Sequence, residues 1–120
     1  MRILRMEGGD DTPQVHLNQD KQIFEISGRS LPEDVVSFYA PIIAWVTDYS
    51  KSPNAATEFS FKLDYFNTAS SKIILDLISQ LKTINGSRII WYSYEDDEEV
   101  QDAGREFSEQ VDIPFEFRTM

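Results

Sequence analysis

Residues 57–65, TEFSFKLDY, place a large apolar side chain at every second position from Phe59 onward: Phe59, Phe61, Leu63 and Tyr65 alternate with Glu58, Ser60, Lys62 and Asp64. Only an extended strand gathers such a set on one face, because successive side chains along a strand point to opposite sides. The period then changes. From Ala69 onward, Ile73, Ile74, Leu77, Ile78, Leu81 and Ile84 recur at three- and four-residue steps, which is the spacing of an amphipathic helix. Asn85-Gly86 closes it with a pair suited to the left-handed turn at a helix C-terminus. RIIWYSY (Arg88 to Tyr94) comes next as a near-continuous apolar strand, the pattern expected where both faces of a sheet are covered.

The flanking sequence extends this alternation in both directions. VHL (Val15 to Leu17) and IFEIS (Ile23 to Ser27) are short strand-like runs joined by Asn18-Gln19-Asp20-Lys21, a polar connection of hairpin length, and Gly28 closes the second run. Ser30-Leu31-Pro32-Glu33 has the form of a capping box, so a helix is predicted to start there. Val35, Tyr39, Ile42, Val46 and Tyr49 form its apolar stripe, and Pro41 is expected to kink it by removing the bond to the Ser37 carbonyl. Val100, Ala103, Phe107 and Val111 mark a third helix with an acidic outer face, and Phe115 and Phe117 alternate with Glu116 and Arg118 in a last strand. The predicted order is β-β-α-β-α-β-α-β: an α/β fold, a single domain with a mixed β-sheet flanked by helices. Residues 1–11 mix charge with Gly8-Gly9 and lack periodicity, so they read as a loose N-terminal segment ahead of a domain spanning 12–120.

Length and charge limit the functions open to this fold. A chain of 120 residues is long enough for one continuous core, and 41% apolar residues mark a globular protein despite a formal charge of −10. Twenty-one acidic against eleven basic residues repel phosphate backbones and anionic lipid, so neither nucleic acid nor membrane is expected as a partner. The densest apolar run, Pro41 to Val46, is far shorter than the roughly 18 residues a membrane helix requires. Zero cysteines remove disulfides, thiolate metal sites and a cysteine nucleophile. The start MRILRMEGGDD lacks the apolar stretch of a secretory signal, and the expected location is cytoplasmic.

Catalytic motifs find little support. His16 is the only histidine and reads as an ordinary surface or edge residue. Gly8-Gly9-Asp10-Asp11 has the letters of a diguanylate cyclase signature loop without the flanking strands that would hold metal and nucleotide. No phosphate-cradling glycine loop is present. Glu95-Asp96-Asp97-Glu98-Glu99 could in principle gather a divalent cation, which makes a metal-dependent enzyme an alternative. The run lacks the alternation and central glycine of a calcium loop, and carboxylates in the first turn of the third helix are stabilised by the helix dipole without any metal. No cofactor is expected.

The junction between the alternating strand and the second helix is more informative. It reads NTASSK, with Asn67, Thr68, Ser70 and Ser71 crowded together and Lys72 directly after them. A cap needs only one such residue, Asn67 or Thr68. Several hydroxyls at a helix N-terminus also lie where outward backbone N–H groups would stabilise an added phosphate. The location therefore suits a phosphorylation switch, with Thr68, Ser70 and Ser71 as neighbouring acceptors that spacing does not separate.

The stretches FEISGRSLPEDVVSFYAPIIAWV, LDYFNTASSKIILDLI and WYSYEDDEEVQDAG, in that order, resemble the SiaC family of regulatory phosphoproteins, small relatives of the STAS anti-sigma-factor antagonists. The likeness runs from about Thr12 to Phe117. It implies a STAS-like fold in which a strand, ending here at Tyr65-Phe66, enters a helix whose first residues carry the phosphoacceptor, and it carries that role onto Thr68. It further implies a non-enzymatic protein whose unphosphorylated form binds and activates a diguanylate cyclase, in cyclic di-GMP signalling and biofilm regulation. A protein kinase and a metal-dependent Ser/Thr phosphatase would act on Thr68, and Asn67, Thr68, Ser70, Ser71 and Lys72 would form the partner-binding surface. An anti-sigma-factor-antagonist type of partner switching is the alternative within the same relationship.

Overall fold

A computed structural model describes residues 3–120. Among these, six strands and three helices run in the order β1 (Leu4–Met6), β2 (Gln14–Asn18), β3 (Ile23–Ser30), α1 (Val35–Tyr49), β4 (Thr57–Phe66), α2 (Thr68–Lys82), β5 (Ser87–Ser93), α3 (Glu98–Gln110) and β6 (Phe115–Thr119). All strands join one sheet in chain order, antiparallel from β1 to β3 and parallel from β3 to β6. The mixed α/β architecture is the one the periodicity predicts, with one strand added. Leu4–Met6 pairs with Val15–Leu17 as an edge strand, where the sequence suggests a loose segment. Three residues are too few to show a period, and they are held by the β2 edge and by the packing of Leu4 and Met6 against the core.

Because β3 to β6 are parallel and sequential, right-handed crossovers stack all three helices on one face of the sheet. That face holds the core. Phe24 meets Trp45 and Tyr49 of α1, Phe59 and Phe61 lie beside it on β4, and Trp91 of β5 packs against Phe61 and against Phe107 of α3. Ile74, Leu77, Ile78 and Leu81 of α2 complete the same cluster with Phe59, Phe61 and Leu63, as their spacing predicts. The opposite face carries charge, with Arg88 bridging Glu58 at 2.9 Å and Glu116 at 3.3 Å, and Lys62 pairing with Glu25 at 3.3 Å. The apolar run of β5 therefore does not signal helices on both sides. Ile90 is buried on the helix-free face, between Ser60 and Glu116 of the adjacent strands.

Two local departures shape the end of the sheet where the helices begin. Gly28, at φ +100°, does not end its strand; it sits at a bulge, and the register jumps from Gly28↔Leu63 to Arg29↔Tyr65. The jump leaves Asp64 unpaired and reverses the facing of the last two residues of β4. Tyr65 turns outward beneath the Arg29 guanidinium, 5.4 Å from its ring centre, and Phe66 turns inward against Trp91 and Phe107. The second departure is at α1. Asp34 caps that helix by accepting from the Ser37 N–H at 3.1 Å, not Ser30, and the helix runs on through Pro41. Ser30 is the last residue of β3 and is wholly buried.

Candidate functional site

All three helices start where parallel strands end. The N-caps Asp34, Asn67 and Asp97 lie just past the C-terminal ends of β3, β4 and β5, so three helix N-termini open on one end of the sheet, the end where α/β folds bind ligands and partners. The caps are alike. Each side chain accepts the N–H three residues on, at 3.1 Å for Asp34, 2.8 Å for Asn67 and 3.2 Å for Asp97. The Asp34 carboxyl is held below the ordinary carboxylate value by the backbone and hydroxyl hydrogen bonds from Ser37.

The hydroxyls of NTASSK separate sharply in space. Asn67 gives its side chain to the Ser70 N–H and its carbonyl to the Ser71 N–H, at 2.9 Å for the latter. Thr68 is the first residue of α2 and is exposed, as are Ala69 and Lys72. Since the cap takes the Ser70 N–H, those of Thr68 and Ala69 have no intrahelical partner and remain available at the positive end of the helix. Lys72 lies one turn on and pairs with no carboxylate among the described residues.

Ser70 faces the other way. It is fully buried, and its Oγ donates to the Ser30 carbonyl at 2.8 Å while accepting from the Ser30 Oγ at 2.9 Å. The Ser30 Oγ in turn lies 2.7 Å from the Tyr39 hydroxyl, which supplies the remaining proton. All three hydroxyls are thus satisfied by one directed chain that ties β3, α1 and α2 together. Burial pushes the Tyr39 phenol up to about 12, against the opposing effect of the Ser30 hydrogen bond. Ser70 therefore does not belong to a partner-binding surface. Ser71 is half-buried. Of the three neighbouring hydroxyl residues, Thr68 is the exposed one.

Beside Thr68 lies a groove that the sequence does not single out. It measures about 510 Å³ and runs between the first turns of α1 and α2, lined by Val35, Val36, Thr68, Ala69, Lys72 and Ile73, with the Asp76 carboxylate at its far end one turn beyond Lys72. Its walls are mostly apolar, and Val36 is 67% exposed there. The adjacent pair Val35-Val36 was the available signal: a helix burying one stripe has no use for Val36, which the packing of α1 leaves outside.

The acidic run is spread over the turn before α3 and its first residues. Asp97 is spent on its cap, Glu98 and Glu99 occupy the first turn of α3, and no three acidic or histidine side chains converge among the described residues. His16 lies on β2 next to the edge strand, facing Arg5 across the pair. No helix among the described residues is long and apolar enough to cross a membrane.

Comparison with known proteins agrees with this architecture. A family model described as "SiaC family regulatory phosphoprotein" matches residues 6–120. An uncharacterised protein of Pseudomonas aeruginosa strain UCBPP-PA14 is 26% identical over 119 residues, covering 96% of this chain and 94% of that protein. The crystal structure of apo-SiaC from Pseudomonas aeruginosa superposes with a TM-score of 0.89 at 24% identity, covering 98% of this chain and 99% of the other. A chain in the crystal structure of the diguanylate cyclase SiaD in complex with its activator SiaC, from the same organism, superposes with a TM-score of 0.84 at 24% identity over 98% and 99% of the two chains. At these identities the structural likeness speaks for the fold.

Proposed function

The chain belongs to the SiaC family of regulatory phosphoproteins, and from that premise we propose that it is a phosphorylation-switched binding protein whose unmodified form docks on and activates a diguanylate cyclase. Thr68 is the acceptor in this reading. A protein kinase adds the phosphate, a metal-dependent Ser/Thr phosphatase removes it, and the chain itself performs no chemistry. The support comes from the SiaD–SiaC complex found for a structural relative and from the geometry at α2.

The observation that carries the reading is the exposed Thr68 hydroxyl beside an apolar groove at a helix N-terminus. An apolar groove favours a partner while the patch is neutral. A phosphate adds about −1.5 to −2 charges there, and enclosing them against a partner without matched arginines costs several kcal/mol. In the free protein the same phosphate is well placed, because the Thr68 and Ala69 N–H groups open at the start of α2 and Lys72 follows one turn on, on the same side of the helix. The modification would therefore block docking without disturbing the fold.

Phosphorylation by the partner kinase with ATP, then peptide mass spectrometry, tests the assignment. The phosphate should map to Thr68, and Thr68→Ala should take up none. Modification of Ser71 alone, with Thr68 untouched, would overturn the site assignment.

A further inference from the structure

The outer edge of β6 has no partner strand among the described residues, and its hydrogen-bonding phase is fixed by its bonds to β5. The Met120 N–H donates to the Ser93 carbonyl at 2.9 Å, and the Ile89 N–H donates to the Pro114 carbonyl at 2.8 Å. Backbone groups alternate sides along a strand, so Glu116 and Arg118 spend theirs on β5. The N–H and C=O groups of Phe115, Phe117 and Thr119 consequently point away from the sheet.

We infer that this edge pairs with the β6 edge of a second copy of the chain, antiparallel and centred on Phe117, joining two sheets across a twofold axis. Three independent features agree on that register. With Phe117 opposite Phe117 of the second copy, Phe115 opposes Thr119 in both directions, and every outward backbone donor meets an acceptor. The same register sets Glu116 directly opposite the second copy's Arg118, and Arg118 opposite its Glu116, at the closer, non-hydrogen-bonded positions where side chains touch. Within one chain Arg118 already contacts Glu116 and, at 3.2 Å, the Tyr92 hydroxyl, while Glu116 also holds Arg88 at 3.3 Å through its other carboxylate oxygen and can keep that contact. An exposed ion pair of that kind is weak, so exchanging it for one across the axis costs little. Finally, Phe117 is 48% exposed at the rim, stacked on Phe115 at 5.8 Å, and the twofold places two such rings together.

The opposite edge of the sheet offers no equivalent. β1 is three residues long and carries Arg5 at its centre, so self-pairing there would set like charges opposite each other. The β6 surface is distinct from the Thr68 groove and stands or falls apart from the proposed switch. Five residues a side make a small interface, at the low end of the size range for specific complexes, so association should depend on concentration.

Sedimentation velocity across a concentration series of the full chain tests the pairing. The parent should shift from monomer mass toward twice that value as concentration rises. Phe117→Pro removes an outward N–H without touching the β5 ladder, and should stay monomeric with an unchanged far-UV spectrum. Glu116→Arg puts two arginines on the edge and Arg118→Glu puts two glutamates there. Neither variant should self-associate, and an equimolar mixture of them should. That mixing result decides the matter even if the proline variant folds poorly. A parent that stays monomeric throughout overturns the inference, including one whose edge captures only a foreign peptide strand. So does a dimer that ignores both the proline and the charge reversals.

Discussion

Gly104 of α3 sits where propensity and packing make opposite predictions. Replacing glycine with alanine inside a helix ordinarily stabilises a protein by about 0.8–1 kcal/mol. Here a Cβ on residue 104 would lie 2.5 Å from the Trp91 Nε1 and 2.8 Å from its Cγ, and nearer still to Cδ1. The indole has nowhere to go. Trp91 is 1% exposed, its N–H donates to the Val100 carbonyl at 2.9 Å, and Phe61 and Phe107 hold its ring at 5.6 and 5.5 Å. Overpacking an enclosed site costs about 1–3 kcal/mol, with the upper end applying to a neighbour this confined. Displacing the indole also weakens a hydrogen bond worth about 1 kcal/mol. With the propensity gain set against these, Gly104→Ala should destabilise the protein by about 2–3 kcal/mol. Urea unfolding monitored by far-UV circular dichroism should show the midpoint falling by about 1–2 M at unchanged slope, given slopes of about 1–3 kcal/mol/M for domains of this size. A midpoint equal to the parent's, or higher, would refute the packing of α3 directly on Trp91.

Phe61→Ala empties the centre of the core and should lose about 3–5 kcal/mol, read from the same urea transitions; a midpoint matching the parent's would contradict the placement of β4. Ser70→Ala breaks the Tyr39–Ser30–Ser70 chain and should cost about 1–3 kcal/mol, yet the variant should still be phosphorylated. Loss of phosphate uptake in a folded Ser70→Ala protein would point to the wrong acceptor. Tyr39 gives a pH signature. Its folded phenol holds a proton up to about 12 against an ordinary value of 10, so above 10 the unfolded chain binds fewer protons and stability falls through that window, while the contribution is fully present below it. Denaturation midpoints across this range should drop less steeply in Tyr39→Phe than in the parent, and identical slopes would contradict the burial of the hydroxyl network.

The fold was legible wherever a period ran long enough. The alternation of Phe59, Phe61 and Leu63 and the three- and four-residue spacing from Ile73 to Leu81 both reappear as one packed face. Errors arose where a local signal competed with the sheet. Ser30 has every property of a cap by its neighbours, but β3 continues past Gly28 and carries it into the core, leaving the cap to Asp34. Tyr65 shares the parity of Leu63, yet the bulge that skips Asp64 reverses its facing, and no residue pattern marks that jump. At the site, NTASSK was visible as an anomaly, but which hydroxyl is reachable depends on helix phase and on what Ser30 and Tyr39 place beneath the first turn. The groove was hidden because its two walls, Val35-Val36 and Ala69-Ile73, come from helices more than thirty residues apart.

The most direct test of the account measures the affinity of a partner diguanylate cyclase for the protein in two forms, unmodified and stoichiometrically phosphorylated at Thr68, by titration calorimetry alongside cyclase turnover. The unmodified form should bind and raise turnover. The phosphorylated form should bind at least about 100-fold more weakly, the factor that a loss of about 3 kcal/mol produces, and should leave turnover at its basal level. Equal affinity and equal activation by the two forms would contradict the switch and leave Asn67-Thr68 as no more than the start of a helix.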